Sequence, residues 1–269
     1  MLYDIQALRK QEDQALYEKV VGELLEQSYS LGLSQDLFKM YLCYLIANDE
    51  NMFSLTAEKE GEEMDGQLKI LVLQDLSLLI QLFHSQVITV HLKAKAKTPS
   101  YGILYEALEK RPTPQLFLQT LIAYYKKYGC GNMNLYKAFK WQADKGLVGI
   151  SECDPITLDQ LIGCDYQKKA LVQNTEKFLA GKPCNNALLF GDSGTGKSSM
   201  VKALLNTYDD KGLRLIELSK SDFMYFNHIL PLLRNRGLHY IIFLDDLSFE
   251  EFETEYKYMK ALIEGGVEV

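Results

Sequence analysis

The strongest constraint on the fold is a glycine-rich segment in the second half of the chain. It matches the pattern G-x-x-x-x-G-K-S/T at every position, in the order Gly191-Asp192-Ser193-Gly194-Thr195-Gly196-Lys197-Ser198. Glycine tolerates positive φ, so the backbone of such a loop can turn its amides inward towards a phosphate. The pattern predicts that Lys197 contacts the β- and γ-phosphates of a nucleotide and that the Ser198 hydroxyl binds Mg²⁺.

The sequence on either side of this segment is typical of a strand, a loop and a helix in succession. Residues 187–190 form a short apolar run directly before Gly191, as a buried parallel strand would. Apolar side chains recur after Lys197 at the spacing of an amphipathic helix: Met200, Val201, Ala203, Leu204 and Leu205. The N-terminus of that helix would itself attract anions. This context favours a phosphate-binding loop over a glycine-rich turn without a ligand.

A second apolar run, residues 240–244, ends in two carboxylates, Asp245 and Asp246. A carboxylate at the C-terminal end of a parallel strand lies at the mouth of a nucleotide crevice. We expect Asp245 to hold Mg²⁺ through water, because this ion keeps several of its waters. Asp246 could then orient or deprotonate the attacking water. Strands often end in polar turns, and it is the position after the glycine-rich loop that favours a metal site.

Composition and charge narrow the functional class. The chain of 269 residues carries a net charge of −7, which argues against a protein whose main role is to coat nucleic acid. Its five cysteines form no C-x-x-C pair, so we expect thiols in a reducing cytosol, without a disulfide framework or a zinc site. Residues 68–92 are apolar but interrupted by polar side chains, which predicts a buried core helix and not a membrane span. The first residues show no signal-peptide pattern, and we expect a cytoplasmic protein.

The periodicity of the sequence predicts two domains. Residues 1–150 have mostly helical spacing, and glycine, aspartate and proline residues between Lys145 and Leu158 mark the boundary. From there to residue 269 strands and helices alternate, with a helix over residues 167–179, a strand over 213–218 and a last helix over 251–263. This order predicts a three-layer α/β/α fold with a parallel sheet of the P-loop NTPase type, preceded by a mostly helical N-terminal domain.

Several segments together resemble the AAA+ ATPases. They are Leu158-Asp159-Gln160-Leu161-Ile162-Gly163, residues 185–190, residues 191–199, and Leu244-Asp245-Asp246-Leu247-Ser248-Phe249. More narrowly, they are similar to an uncharacterised bacterial family of predicted AAA+ ATPases that carry a helical N-terminal region. The resemblance covers residues 151–269 and implies ATP and Mg²⁺ as ligands.

The resemblance also implies roles for individual residues. Leu161, Ile162 and Gly163 would lie near the adenine. The phosphate loop would comprise Gly191, Asp192, Ser193, Gly194, Thr195, Gly196, Lys197, Ser198 and Ser199, with Lys197 also counted as catalytic. Ser198 and Asp245 would bind the metal, and Asp246 would be catalytic. Many AAA+ members have Glu at the position of Asp246, whereas the Asp-Asp version is similar to replication initiators and helicase loaders.

One departure from the AAA+ pattern concerns the end of the chain at Val269. In AAA+ proteins the chain continues with a further strand that carries a polar sensor, and then with an arginine finger and a helical lid. In the sheet, the sensor strand lies between the phosphate-loop strand and the Asp-Asp strand. We therefore expect a fragment of a longer protein, with an incomplete sheet and weak hydrolysis. Arg214, Arg234 and Arg236 precede the position of a finger and are not assigned to it.

These features lead to one main function and two alternatives. We expect an ATPase that couples hydrolysis to the remodelling or regulation of a protein or nucleic-acid partner, recognised by the N-terminal region. The resemblance implies homo-oligomeric rings in the full-length parent. One alternative is a nucleotide-gated binding module with little hydrolysis, and another, less favoured, is a P-loop phosphotransferase acting on a small acceptor.

Overall fold

The computed structural model describes residues 13–33, 35–85, 88–92 and 100–245 of the chain. The chain divides into two compact units, Met1–Tyr125 and Lys126–Val269. The second unit begins before the boundary that the sequence indicates between Lys145 and Leu158. The difference arises because a β-hairpin within residues 138–149 belongs to the sheet of the second unit.

The described part of the first unit is mainly helical. Its helices are α1 (Gln14–Leu31), α2 (Leu37–Asn48), α3 (Met52–Glu60), α4 (Gly66–Phe83), α5 (Gly102–Glu109) and α6 (Pro114–Tyr128), the last of which continues into the second unit. Side chains of Asp13, Asp36, Asn51 and Asp65 cap the N-termini of the first four, which satisfies amides that a helix leaves unpaired. Two short strands, β1 (Gln35–Asp36) and β2 (His91–Leu92), pair antiparallel.

Helix α4 is less buried than the sequence predicts. Only Leu76 and Phe83 of its residues are buried, and because they lie seven residues apart they mark a single face of the helix. Ile70, Leu71 and Leu78 are exposed. By length and composition alone, α4 is the one helix in the described residues that could cross a membrane. The expectation of a buried core helix is therefore wrong for most of its surface.

The second unit contains a mixed four-stranded sheet. Its strands are β3 (Ala138–Gln142), β4 (Gly146–Gly149), β5 (Leu213–Leu218) and β6 (His239–Leu244), in the spatial order β4-β3-β5-β6. β3, β5 and β6 run parallel, as the sequence predicts for an α/β sheet, whereas β4 is antiparallel to β3 because a tight hairpin joins the two. The bounds of β5 confirm the strand predicted over residues 213–218.

Helices cover both faces of this sheet. α8 (Asp165–Leu179) and α9 (Lys197–Tyr208) lie on one face, where Ile241 and Phe243 of β6 join their cluster. α10 (Phe226–Arg234) lies on the other face, where Ile229 packs with Ile242. Because side chains alternate along a strand, a strand that is apolar on both sides needs two such layers.

The predicted strand over residues 187–190 is not a strand in the structure. Among the described residues no strand pairs with this segment, and Leu188 and Phe190 are 79% and 88% exposed. Leu189 alone packs against the cluster formed by α9. An apolar run becomes a strand only when a neighbour completes its hydrogen bonds. The helix predicted over residues 251–263 lies outside the described residues.

Arg214 in β5 and Arg236, which precedes β6, bind backbone oxygens between the end of α6 and the short helix α7 (Asn132–Leu135). Arg214 is buried and donates through Nε to the Met133 carbonyl at 2.8 Å and through Nη2 to the Tyr128 carbonyl at 2.7 Å. Arg236 donates to the Cys130 carbonyl at 2.7 Å. Both guanidinium groups thus satisfy backbone oxygens, which gives these arginines a structural role.

Candidate nucleotide-binding site

The glycine-rich loop leads directly into the N-terminus of α9. Gly191, Gly194 and Gly196 have φ values of 145°, 78° and 83°, in the region that side chains other than glycine rarely adopt. Gly196 is the N-cap of α9 and makes no side-chain cap, so no side chain of the N-cap competes with an anion for the first amides of the helix. The loop is further held by Thr195, whose Oγ1 donates to the Asp192 carbonyl at 2.8 Å.

Lys197, the first residue of α9, folds back over the loop. Its Nζ donates to the carbonyl oxygens of Gly191 at 2.9 Å and Asp192 at 2.7 Å. These two contacts hold the ammonium group at the loop. A phosphate bound by the loop would therefore meet a positive charge that is already in place.

Ser198 and Asp245 are in direct contact although 47 residues separate them. The Ser198 Oγ donates to Asp245 Oδ1 at 2.9 Å and to Oδ2 at 3.0 Å. Hydroxyl and carboxylate oxygens are ligands that suit Mg²⁺. The structure thus brings together the two residues that the sequence indicates as metal ligands.

A metal at this point would need ligands from outside the protein. Within the described residues no group of three or more His, Cys, Asp and Glu side chains could hold an ion. Mg²⁺ commonly binds through one or two protein ligands together with water and substrate phosphates, and Ser198 with Asp245 fits that arrangement. Asp246 lies outside the described residues, so its catalytic role stays a prediction.

The segment predicted to lie near the base approaches the loop at Leu161. This side chain is buried against Met200 and Ala203 of α9, and its Cδ2 lies 3.9 Å from where a Cβ on Gly196 would sit. Ile162 is 94% exposed, and Gly163 has a φ of 79°. The structure therefore places Leu161 beside the phosphate loop and leaves Ile162 open to solvent.

Sequence reasoning missed Lys168 in α8. Its Nζ donates to the Leu161 carbonyl at 2.9 Å, so it restrains the segment next to the loop. A basic residue in the first turn of the helix after Gly163 was the available signal. It is a weak one, because helices carry lysines at many surface positions.

The fold and the site together indicate the structural class of the second unit. An α/β unit with a mixed sheet, helices on both faces and a glycine-rich loop before a helix is compatible with a P-loop-like fold. The family model described as "Protein of unknown function (DUF815)" matches residues 134–269, just over half of the chain. The chain therefore belongs to this family, whose description states no function.

A curated relative matches a smaller part of the chain. The Replication factor C large subunit of Staphylothermus marinus is 40% identical over 70 residues, which cover 26% of this chain and 16% of the relative. The chain thus spans less than a fifth of that relative's length. No solved structure matches the chain. The family match and this partial likeness together indicate an AAA+ ATPase-like protein.

Proposed function

We propose that residues 151–269 bind ATP together with Mg²⁺, and that the protein hydrolyses ATP to remodel or regulate a partner. The contact between Ser198 Oγ and Asp245 carries this proposal. It joins the first turn of the helix after the glycine-rich loop to the end of β6, where a Mg²⁺ ion bound to phosphates would need two oxygen ligands.

Each part of the site has a proposed role. The backbone of residues 191–199 binds the phosphates, and Lys197 contacts the β- and γ-phosphates. Ser198 and Asp245 hold the metal, and Asp246 activates the attacking water. Leu161, Ile162 and Gly163 form the surface next to the adenine, which the position of Leu161 beside Gly196 supports.

One observation favours the second function, a nucleotide-gated binding module with little hydrolysis. Leu188 and Phe190, directly before the loop, are exposed, and no described strand pairs with them. Hydrolysis requires groups fixed to within a fraction of an ångström, whereas a phosphate cradle can bind with its flank unpaired. We therefore propose that residues 1–269 alone bind ATP but hydrolyse it slowly.

The remaining proposals concern partners, assembly and cellular location. We propose that residues 1–150 recognise a protein or nucleic-acid partner, that the protein forms homo-oligomers, and that it acts in the cytoplasm. The likeness to a subunit of a replication factor supports assembly with other chains.

ATP titration with and without Mg²⁺ tests the proposal. We expect micromolar affinity with Mg²⁺ and clearly weaker binding in EDTA, measured by isothermal titration calorimetry on the chain of residues 1–269. Lys169→Ala removes a positive charge from an exposed position of α8. As a control, it should bind ATP as tightly as the unmodified chain does. Equal affinities with and without Mg²⁺ would contradict the metal site, and the absence of ATP binding would contradict the whole proposal.

A further inference from the structure

Lys168 ties down the segment that precedes α8. Its Nζ donates to the Leu161 carbonyl oxygen at 2.9 Å and lies 3.4 Å from Asp165 Oδ1. The Lys168 side chain is only 20% exposed, whereas that of Asp165 is 90% exposed. Solvent therefore screens the ion pair, and the hydrogen bond to the carbonyl is the stronger restraint. Through this bond Lys168 closes the turn around Gly163.

The residue that Lys168 holds lies beside the phosphate loop. Leu161 packs against Met200 and Ala203 on α9 and approaches Gly196, the residue before Lys197. Lys168 acts on the backbone of Leu161, while α9 acts on its side chain. Leu161 is thus fixed from two directions at the edge of the loop.

Two side chains close to Leu161 in the sequence are exposed to solvent. Ile162 is 94% exposed and Tyr166, in the first turn of α8, is 83% exposed. They lie on either side of Gly163 along the chain, beside a segment that is packed against the phosphate loop. Nucleic-acid bases stack on aromatic rings whatever their identity, because every base presents a π-face.

We propose that Lys168 is a positioning residue that sets how tightly the base of a bound nucleotide is held. It does so by fixing Leu161, and with it the surface that Ile162 and Tyr166 offer to the base. This inference rests on the proposed function, since it requires a nucleotide at the phosphate loop. In this proposal Lys168 acts through the Leu161 carbonyl, so the phosphate part of the affinity does not depend on it.

A comparison of ATP with inorganic tripolyphosphate, both with Mg²⁺, separates the two parts of the affinity. We expect Lys168→Met to weaken ATP binding about tenfold, the effect of losing one charge-assisted hydrogen bond, and to leave tripolyphosphate binding within about twofold. Lys168→Arg retains a charged donor and restores most of the ATP affinity. A general loosening of the fold would weaken both ligands alike.

Two further variants make the test specific. Lys169→Met removes the same charge from an exposed neighbour and is expected to change neither affinity. Tyr166→Ala removes an exposed ring that the fold does not bury, so it is expected to weaken ATP about tenfold without affecting tripolyphosphate. Thermal unfolding of each variant checks that the protein remains folded.

The outcomes distinguish this inference from the function on which it rests. If Lys168→Met weakens both ligands equally, or neither, Lys168 does not position the base surface, while ATP binding by the unmodified chain still supports the proposed function. If the unmodified chain binds ATP no more tightly than tripolyphosphate, the base surface does not exist. If it binds neither, both proposals are wrong. Should Lys168→Met fail to fold, unchanged ATP affinity in Tyr166→Ala overturns the inference.

Discussion

The Ser198 hydroxyl donates a hydrogen bond that is shared by both carboxylate oxygens of Asp245, with Oγ 2.9 Å from Oδ1 and 3.0 Å from Oδ2. Ser198 is the second residue of α9, and Asp245 directly follows β6. The contact therefore joins the helix that carries the phosphate loop to the carboxyl end of a parallel strand. Ser198 and Asp245 would thus both be in place to hold a Mg²⁺ ion, Asp245 through water.

Asp245→Asn should remove most of the effect of Mg²⁺ on ATP binding. The amide keeps the size and an acceptor for Ser198 but lacks the negative charge that attracts the ion. We expect the gain in ATP affinity on adding Mg²⁺ to fall about tenfold, with affinity in EDTA unchanged. Calorimetric titrations in both buffers measure this, with Asp210→Asn in the exposed turn after α9 as control.

Ser198→Ala extends this prediction to the second ligand. If both side chains serve the same ion, the double variant should lose little more Mg²⁺ dependence than Asp245→Asn alone, because the ion is already weakly held. Fully additive losses in this double-mutant cycle would show that the two residues do not share a metal.

Lys197→Ala should weaken ATP binding by roughly ten- to a hundredfold. The ammonium group now rests on the carbonyls of Gly191 and Asp192, and a charged contact with phosphate contributes about 1.5–3 kcal/mol. Titration of labelled ATP against this variant and against Lys169→Ala measures the difference. Equal affinity of Lys197→Ala and the unmodified chain would rule out the assigned role.

Features set by local pattern were predictable from the sequence, and features set by distant neighbours were not. The loop and α9 follow from glycine positions and helical spacing within a dozen residues, and β5 follows from a short apolar run. The apolar run over residues 187–190 has the same local pattern as β5, yet it is no strand because no described neighbour pairs with it. Its state depends on pairing partners remote in sequence.

The same reason explains two further differences. The hairpin of β3 and β4 joins the sheet because Phe139 pairs with Ile216, a contact between residues far apart in the chain. Lys168 looks like any surface lysine of a helix, and its role is visible only when the Leu161 carbonyl lies within reach. Neither pairing leaves a signature in residue spacing.

Gly149→Ala should destabilise the second unit. A Cβ at Gly149 would overlap the ring of Tyr136, and overpacking of this kind costs about 1–3 kcal/mol. Chemical denaturation monitored by fluorescence measures the loss. Gly22→Ala is the matched control, because nothing lies within 4 Å of a Cβ there, and in the middle of α1 it should stabilise by about 0.5–1 kcal/mol. A stability for Gly149→Ala equal to that of the unmodified chain would contradict the packing.

His239 should make the second unit less stable as the pH falls. Burial, and secondarily the charge of Lys126, lower the pKa of His239 below its usual value of 6.5. The unfolded chain therefore binds a proton that the folded chain resists, so stability is full above about pH 6.5 and declines as pH drops through the folded pKa. His239→Phe can keep an edge contact with Phe178 and should flatten this decline. Identical pH profiles for the two proteins would contradict the prediction.

Asp246→Asn should affect turnover far more than binding. The amide keeps the shape of the side chain but cannot accept the proton of the attacking water, whereas Asp245 and Ser198 still provide the metal ligands. Phosphate release under single-turnover conditions, with protein in excess over ATP, detects even slow hydrolysis. We expect the rate to fall about a hundredfold or more, the usual contribution of a general base, with ATP affinity within about twofold of the unmodified chain. Asp245→Asn is the informative comparison, because it should lose Mg²⁺-dependent binding and turnover together. If Asp246→Asn hydrolyses ATP at the original rate, another residue activates the water.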